Sequence, residues 1–243
     1  GADVSRYKVG DKVGVGCMVD SCRQCEACNA DLEQYCLEGP TQTYASKDRV
    51  DGSITMGGYS DSIVVSERFV VRIPEKLDLA SAAPILCAGI TTYSPLKHYN
   101  VKPGDKVGIL GMGGLGHMGI KFAKAMGAEV TLFTRSEAKA EEGRRQGADH
   151  VIVSTDAKQM AAAAGHFDFL LDTIPVQHDL NPYLQTLRFD GVHILVGLVE
   201  PVEPPVHSAN LVTKRRVLAG SMIGGMAETQ EVLDFCAEHG ITC

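Results

Sequence analysis

Apolar positions change their spacing once along this chain, near residue 80. Before that point they come in short alternating or β-branched runs broken by glycine, and the runs at 12–16, 58–65 and 69–73 predict strands. Residues 43–58 are polar, contain glycine and lack periodicity, which predicts a surface loop. From 79 to 99, Ala, Leu and Ile recur at helical spacing, with Ser94-Pro95 as a second helix start. Beyond this stretch strands and helices alternate. Strands are predicted at 106–110, 129–133, 150–153, 167–172, 192–196 and 217–221. The helical stretches at 114–126, 136–146, 157–164 and 180–186 are each long enough to carry a right-handed crossover between parallel strands. The proline-rich stretch 200–205 reads as a loop before the last strand, and 229–239 as a helix leaving the sheet. The expected fold class is α/β, a doubly wound parallel six-stranded sheet preceded by a smaller β-rich domain.

Composition narrows the function. The chain has 243 residues, a formal net charge of −7 and 44% hydrophobic residues, as expected of a soluble globular protein of one large or two modest domains. No cluster of Lys and Arg could neutralise phosphates, so neither nucleic acid nor an anionic membrane is the expected partner. No apolar run is long enough to span a bilayer and no signal-like start is present, which makes the cytoplasm the expected location and a small molecule the expected partner. Eight cysteines are too few for a disulfide scaffold, but Cys22, Cys25, Cys28 and Cys36 cluster, and clustering of this kind reads as metal.

Three motifs carry chemistry. Gly111-Met112-Gly113-Gly114-Leu115-Gly116 follows an apolar strand and opens a helix, with a second strand ending about 20 residues on. This is the context in which a glycine loop holds the pyrophosphate of a dinucleotide at a helix N-terminus. That second strand runs out into Thr134-Arg135-Ser136, with Lys139 one turn later, where an NAD site would place an acid. Hydroxyls and a guanidinium suit a 2′-phosphate, so NADP is favoured unless Glu137 and Glu141 occupy the two cations. The spacing Cys22-x2-Cys25-x2-Cys28-x7-Cys36 suits one tetrahedral zinc with no open position, a structural site that pins a loop poor in apolar residues. Cys17 reads as a buried apolar residue, and Cys87, in an apolar helical stretch, is by itself a core residue. None of the eight histidines stands in a catalytic arrangement in the sequence.

The order of the cysteine loop, Pro84-Ile85-Leu86-Cys87-Ala88-Gly89-Ile90-Thr91-Thr92-Tyr93-Ser94-Pro95-Leu96, the glycine loop with His117, and Gly220-Ser221-Met222-Ile223-Gly224-Gly225 resembles the medium-chain zinc alcohol dehydrogenases, in their cinnamyl alcohol dehydrogenase-like branch. The resemblance covers essentially the whole chain. It implies a Rossmann NADP-binding domain over 80–225, a partial β-rich GroES-like zinc-binding domain over 1–79, and a helix over 226–243 returning towards the catalytic domain. It further implies that Cys22, Cys25, Cys28 and Cys36 hold the structural zinc and that Cys87 is a catalytic-zinc ligand. Thr91, Gly111, Gly113, Gly114, Leu115, Gly116, Thr134, Arg135, Ser136, Lys139, Thr173, Ile174, Val196, Gly197, Ser221, Met222 and Ile223 would contact NADP. Family members carry their other catalytic-zinc ligands ahead of the position matched by Gly1, so a catalytic zinc is expected only where those are supplied. The implied reaction transfers a hydride between NADP(H) and a primary alcohol or aldehyde, aromatic ones included, in a homodimer. The other reading is a truncated, non-catalytic homologue that binds NADP and zinc.

Overall fold

The computed structural model describes residues 1, 3–197 and 201–243; Glu200, which opens the expected proline-rich loop, lies outside them. The chain forms two compact units, Gly1–Ile90 with Met222–Cys243, and Thr91–Ser221. The divisions fall at 90/91 and 221/222, where the sequence led us to expect 79/80 and 225/226.

In the first unit the strands are short. β1 (Val13–Gly14) pairs antiparallel with the late strand Val71–Arg72, and β2 (Met18–Asp20) pairs with β3 (Thr41–Gln42). Between β2 and β3 lie a one-turn helix α1 (Glu26–Asn29) and a 3-10 turn, Glu33–Tyr35. Two expectations fail in this unit. Residues 43–58 hold a hairpin, β4 (Tyr44–Lys47) and β5 (Ile54–Met56), and are not a plain loop. Asp48 organises its turn by accepting from the Val50 and Asp51 backbone N–H groups. Most of the hairpin's residues are solvent-exposed, so no inward/outward alternation marks it. Conversely, residues 58–65 form no strand: Tyr59 is 83% and Val64 100% exposed, and no described segment pairs with them. β-branched residues make a strand only where a partner edge exists. Val71–Arg72 becomes β6.

The stretch 79–99 breaks at Cys87. The Asp78 carboxylate caps α2 (Leu79–Ala82) by accepting from Ser81 N–H at 3.0 Å, a 3-10 turn follows over Ala83–Leu86, and α3 (Ala88–His98) then starts afresh. Pro84 in the 3-10 turn and the non-helical backbone of Cys87 (φ −129°, ψ −75°) account for the break, while Pro95 is absorbed inside α3. Among the described residues no single helix is long and apolar enough to cross a membrane.

The second unit is the doubly wound sheet. Strands β7 (Lys106–Leu110), β8 (Glu129–Thr134), β9 (His150–Val153), β10 (Phe167–Asp172), β11 (Leu187–Leu195) and β12 (Val217–Gly220) lie in the order β12-β11-β10-β7-β8-β9, and every ladder is parallel. Helices α4 (Gly114–Ala125), α5 (Glu137–Arg145), α6 (Ala157–Ala162) and α7 (Asn181–Thr186) make crossovers between the first five strands. Parallel strands covered on both faces read as apolar runs, which is why β7, β8 and β10 were visible in the sequence. Phe133, Phe167 and Tyr183 pack edge to face, with centroids 5.2 and 5.6 Å apart, in the core beneath the ends of β8 and β10. The strand order reverses between β10 and β7, and a ligand crevice is expected outside the carboxyl ends there.

Candidate metal centre and nucleotide cleft

The first unit gathers the four cysteines. The Sγ atoms of Cys22, Cys25, Cys28 and Cys36 all lie within 4.8 Å of one another, and no other set of three or more such ligands is found among the described residues. Thiolates bound at about 2.3 Å on tetrahedral zinc stand roughly 3.8 Å apart, and the Cys22–Cys28 separation is 3.9 Å. Backbone N–H groups point at the sulfurs: Cys22 to Cys36 at 3.3 Å, Cys25 to Cys22 at 3.3 Å, and Leu37 to Cys25 at 3.4 Å. Such donors stabilise thiolate, and those of Cys28 and Leu37 bring Cys25 down to about 6. Burial pushes Cys28 up to about 11. Four soft donors with backbone N–H groups aimed at their charge fit a closed zinc site.

Cys87 is in the same unit, solvent-exposed at the helix break. Cys17 faces it: a hydrogen bond from the Cys17 thiol lowers Cys87 to about 6, and the same bond together with burial raises Cys17 far above an ordinary thiol. Cys17 also reaches the Leu86 carbonyl at 3.5 Å, so it is a polar partner as well as a packing residue. Met222 and Ile223, expected at the cofactor, belong to this unit, where the Met222 N–H donates to Tyr35 Oη at 3.1 Å.

The second unit carries a cleft of about 720 Å³ at the carboxyl ends of its strands. It brings together Gly111, Gly113, Gly114, Leu115, Thr134, Arg135, Ser136, Lys139, Thr173, Ile174 and Gly197. The glycines differ in what they do. Gly111 turns at φ +92°, and a Cβ on Gly116 would stand 2.1 Å from the Gly111 carbonyl oxygen, so helix and turn meet only because Gly116 has no side chain. A Cβ on Gly113 or Gly114 would meet no protein atom within 4 Å. Space is therefore kept open where α4 begins, at the helix end that leaves backbone N–H groups without intrahelical partners.

Thr134 is buried at the end of β8, and Arg135, Ser136 and Lys139 are exposed beyond it. Ser136 is the N-cap residue of α5, but its hydroxyl makes no cap bond. No carboxylate stands within ion-pair distance of Arg135 or Lys139 among the described residues, so Glu137 and Glu141 do not occupy the two cations; Glu142 pairs with Arg145 instead. Thr91, Val196 and Ser221 lie in the same unit but outside the cleft lining, and Gly116 lies beneath it.

Sequence reasoning missed Ser154, Pro175, Val176, Gln177, His178 and Tyr183, which with Met112 and Phe133 complete the lining. It also left the histidines unassigned, whereas the Asp172 carboxylate at the end of β10 bonds both His178 and His193. The only available signal was position, since 173–178 directly follow a strand end. His117 does not line the cleft; its Nε2 is buried without a hydrogen-bond partner among the described residues.

A family model described as "Zinc-binding dehydrogenase" matches residues 114–238, and one described as "Alcohol dehydrogenase GroES-like domain" matches residues 1–75. The chain is 54% identical over 243 residues to NADP-dependent alcohol dehydrogenase C 1 of Mycolicibacterium smegmatis, covering 99% of this chain and 69% of that protein. It is 53% identical over 242 residues to aldehyde reductase YahK of Escherichia coli, with 99% and 69% covered. A solved cinnamyl alcohol dehydrogenase of Sorghum bicolor superposes with a TM-score of 0.95 at 45% identity, over 99% of this chain and 68% of that one.

Proposed function

The chain belongs to the zinc-binding dehydrogenases with an alcohol dehydrogenase GroES-like domain, and from that membership we propose an NADP(H)-dependent alcohol dehydrogenase or aldehyde reductase acting on primary alcohols and aldehydes, aromatic ones included. The observation that carries the choice of cofactor is the cleft edge at Thr134, Arg135, Ser136 and Lys139, which among the described residues offers two unpaired cations and a cap hydroxyl that makes no cap bond, where a 2′-hydroxyl reader would need an acid. Relatives named as an NADP-dependent alcohol dehydrogenase and an aldehyde reductase support catalysis over a purely binding role.

In this reading the N-terminus of α4 and the open backbone at Gly113–Gly114 hold the pyrophosphate, and Gly111 and Gly116 let helix and strand come close enough to aim it. Thr134, Arg135, Ser136 and Lys139 hold the 2′-phosphate. Thr91, Val196 and Ser221 of the same unit contact the rest of the cofactor. A bound nicotinamide supplies the hydride exchanged with the carbon of the alcohol or aldehyde, while a proton is exchanged at the oxygen. Cys22, Cys25, Cys28 and Cys36 hold a structural zinc. Cys87 offers a thiolate to a catalytic zinc, but no set of three or more ligands among the described residues includes it, and no step is derived through that ion. The exposed edge at β12, with Val217 45% exposed, supports pairing with a second copy across a two-fold axis. A cytoplasmic location is proposed with it.

Zinc per chain by atomic emission, together with NADPH and NADH oxidation by benzaldehyde and cinnamaldehyde, tests the reading. At least one zinc with turnover preferring NADPH is expected. Preference for NADH, or no turnover with either cofactor, would overturn it.

A further inference from the structure

The wall of the cleft formed by residues 173–178 ends on a histidine whose two ring nitrogens both face acceptors. His178 Nδ1 lies 2.8 Å from the Val176 carbonyl oxygen, and Nε2 lies 2.8 Å from Asp172 Oδ2. A ring bonded in this way donates from both nitrogens and is an imidazolium. Asp172 closes β10 with its side chain fully buried; Oδ2 also accepts from His193 Nε2 at 2.9 Å, and Oδ1 accepts from Ile174 N–H at 3.1 Å. His193 is fully buried too, and among the described residues its Nδ1 has no hydrogen-bond partner. The buried carboxylate is thus balanced by one charged ring, His178, which reaches the cleft surface.

Other groups around His178 are few. Asp179 acts on it from its own loop, and Tyr183 of α7 stands edge-on at 6.0 Å, with Arg135 acting on Tyr183 from across the cleft. Burial opposes the charged ring, but the Asp172 carboxylate, the Val176 carbonyl and Asp179 outweigh it and hold His178 above the ordinary histidine range.

We propose that His178 is a positioning residue for the cofactor: its imidazolium clamps the 173–178 wall to the sheet through Asp172 and the Val176 carbonyl, so that nucleotide affinity is high while the ring is protonated and falls at alkaline pH. The inference rests on the cleft being the nucleotide site. A neutral ring has one donor for two acceptors, so deprotonation releases either Val176 or Asp172, and the wall that lines the cleft loosens. Because the folded ring is held above its ordinary range, the clamp is complete at low pH and is lost as pH rises through the folded value; a bound nucleotide that needs the ordered wall must, by reciprocity, tighten the ring's hold on its proton. The wall is not the 2′-phosphate pocket, so NADPH and NADH share the loss.

Binding of NADPH and NADH to the full chain, followed by nicotinamide fluorescence from about pH 6.5 to pH 9.5, tests this, alongside NMR titration of the His178 ring. Affinity for both dinucleotides is expected to fall roughly three- to tenfold, the worth of one net hydrogen bond, in step with the ring's titration. H178Q, with no titrating group, is expected to bind at the weaker level with a flat profile. A profile that persists in H178Q, or a ring titration that does not coincide with the fall in wild-type affinity, overturns the proposal and leaves the cleft assignment standing. The ring measurement needs no variant to fold. No nucleotide binding at any pH overturns the cleft assignment and the proposal together.

Discussion

The cysteine lobe and the nucleotide cleft both hold charge, and they are built in opposite ways. In the lobe, residues 22–36 contribute a one-turn helix and a 3-10 turn, and their order depends on four sulfurs converging with backbone N–H groups pointed at them. The cleft instead sits on the ends of parallel strands whose side chains are almost wholly buried, and its key atoms are placed by packing before any ligand arrives. A lobe with little apolar content has to take its stability from an ion. A cleft on a finished sheet needs a ligand only for function.

The sharpest way to break this comparison is to remove one sulfur. C36S, at a buried position, is expected to abolish zinc retention and to melt the lobe, at a cost of several kcal/mol if structural zinc is worth on the order of 10 kcal/mol, while leaving NADPH binding by the sheet largely intact. Atomic emission and hydrogen exchange over 18–42 would check both halves. Acid should imitate the substitution in milder form. Protons compete with the ion for the sulfurs, so zinc retention falls as pH drops; with Cys28 up at about 11 and Cys25 down at about 6, Cys25 is the later of this pair to take a proton, and a chelator-release curve would show the decline.

Second in size is G116A. Its Cβ would overlap the Gly111 carbonyl, and a loss of about 3 kcal/mol in the stability of the nucleotide unit is expected, with zinc content unchanged. Thermal unfolding with a zinc assay separates the two regions. Third, the R135A/K139A double variant should weaken NADPH binding by roughly ten- to a hundredfold, as loss of charge-assisted hydrogen bonds does, without changing NADH binding. Equal losses for both dinucleotides would remove the phosphate assignment. The smallest stability change belongs to G113A. Its backbone is extended (φ −108°) and its Cβ meets no protein atom, so stability should move by less than about 0.5 kcal/mol while dinucleotide affinity drops. If affinity stayed the same, the open space at Gly113 would not be where the pyrophosphate lies.

Legibility in the sequence followed burial. β7, β8 and β10 lie under cover on both faces, so hydrophobic runs and a glycine loop announced them with bounds correct to about a residue. The hairpin of β4 and β5 is mostly exposed, and the run at 58–65 promised a strand that found no partner. Among candidate site residues, Gly111, Gly116, Arg135 and the four cysteines were proposed from local spacing. Ser154, His178 and Tyr183 were not, because they enter the cleft from three separate strand ends and crossovers that share no motif.

The sequence by itself therefore determined whatever depends on neighbours along the chain. These features are the candidate zinc ligands, close enough to wrap one ion, the turn that only glycine can make, the absence of an acid at the very end of β8, and the alternation that dictates parallel crossovers. Tertiary structure alone decided what depends on neighbours across it. It left Arg135 and Lys139 without an ion-pair partner among the described residues, set the Cys17 thiol against Cys87, and buried Asp172 between two histidines 6 and 21 residues away. The physical reason is that a hydrogen bond or a charge balance is fixed by distance in space, and only a packed sheet brings residues so far apart in sequence to within 3 Å.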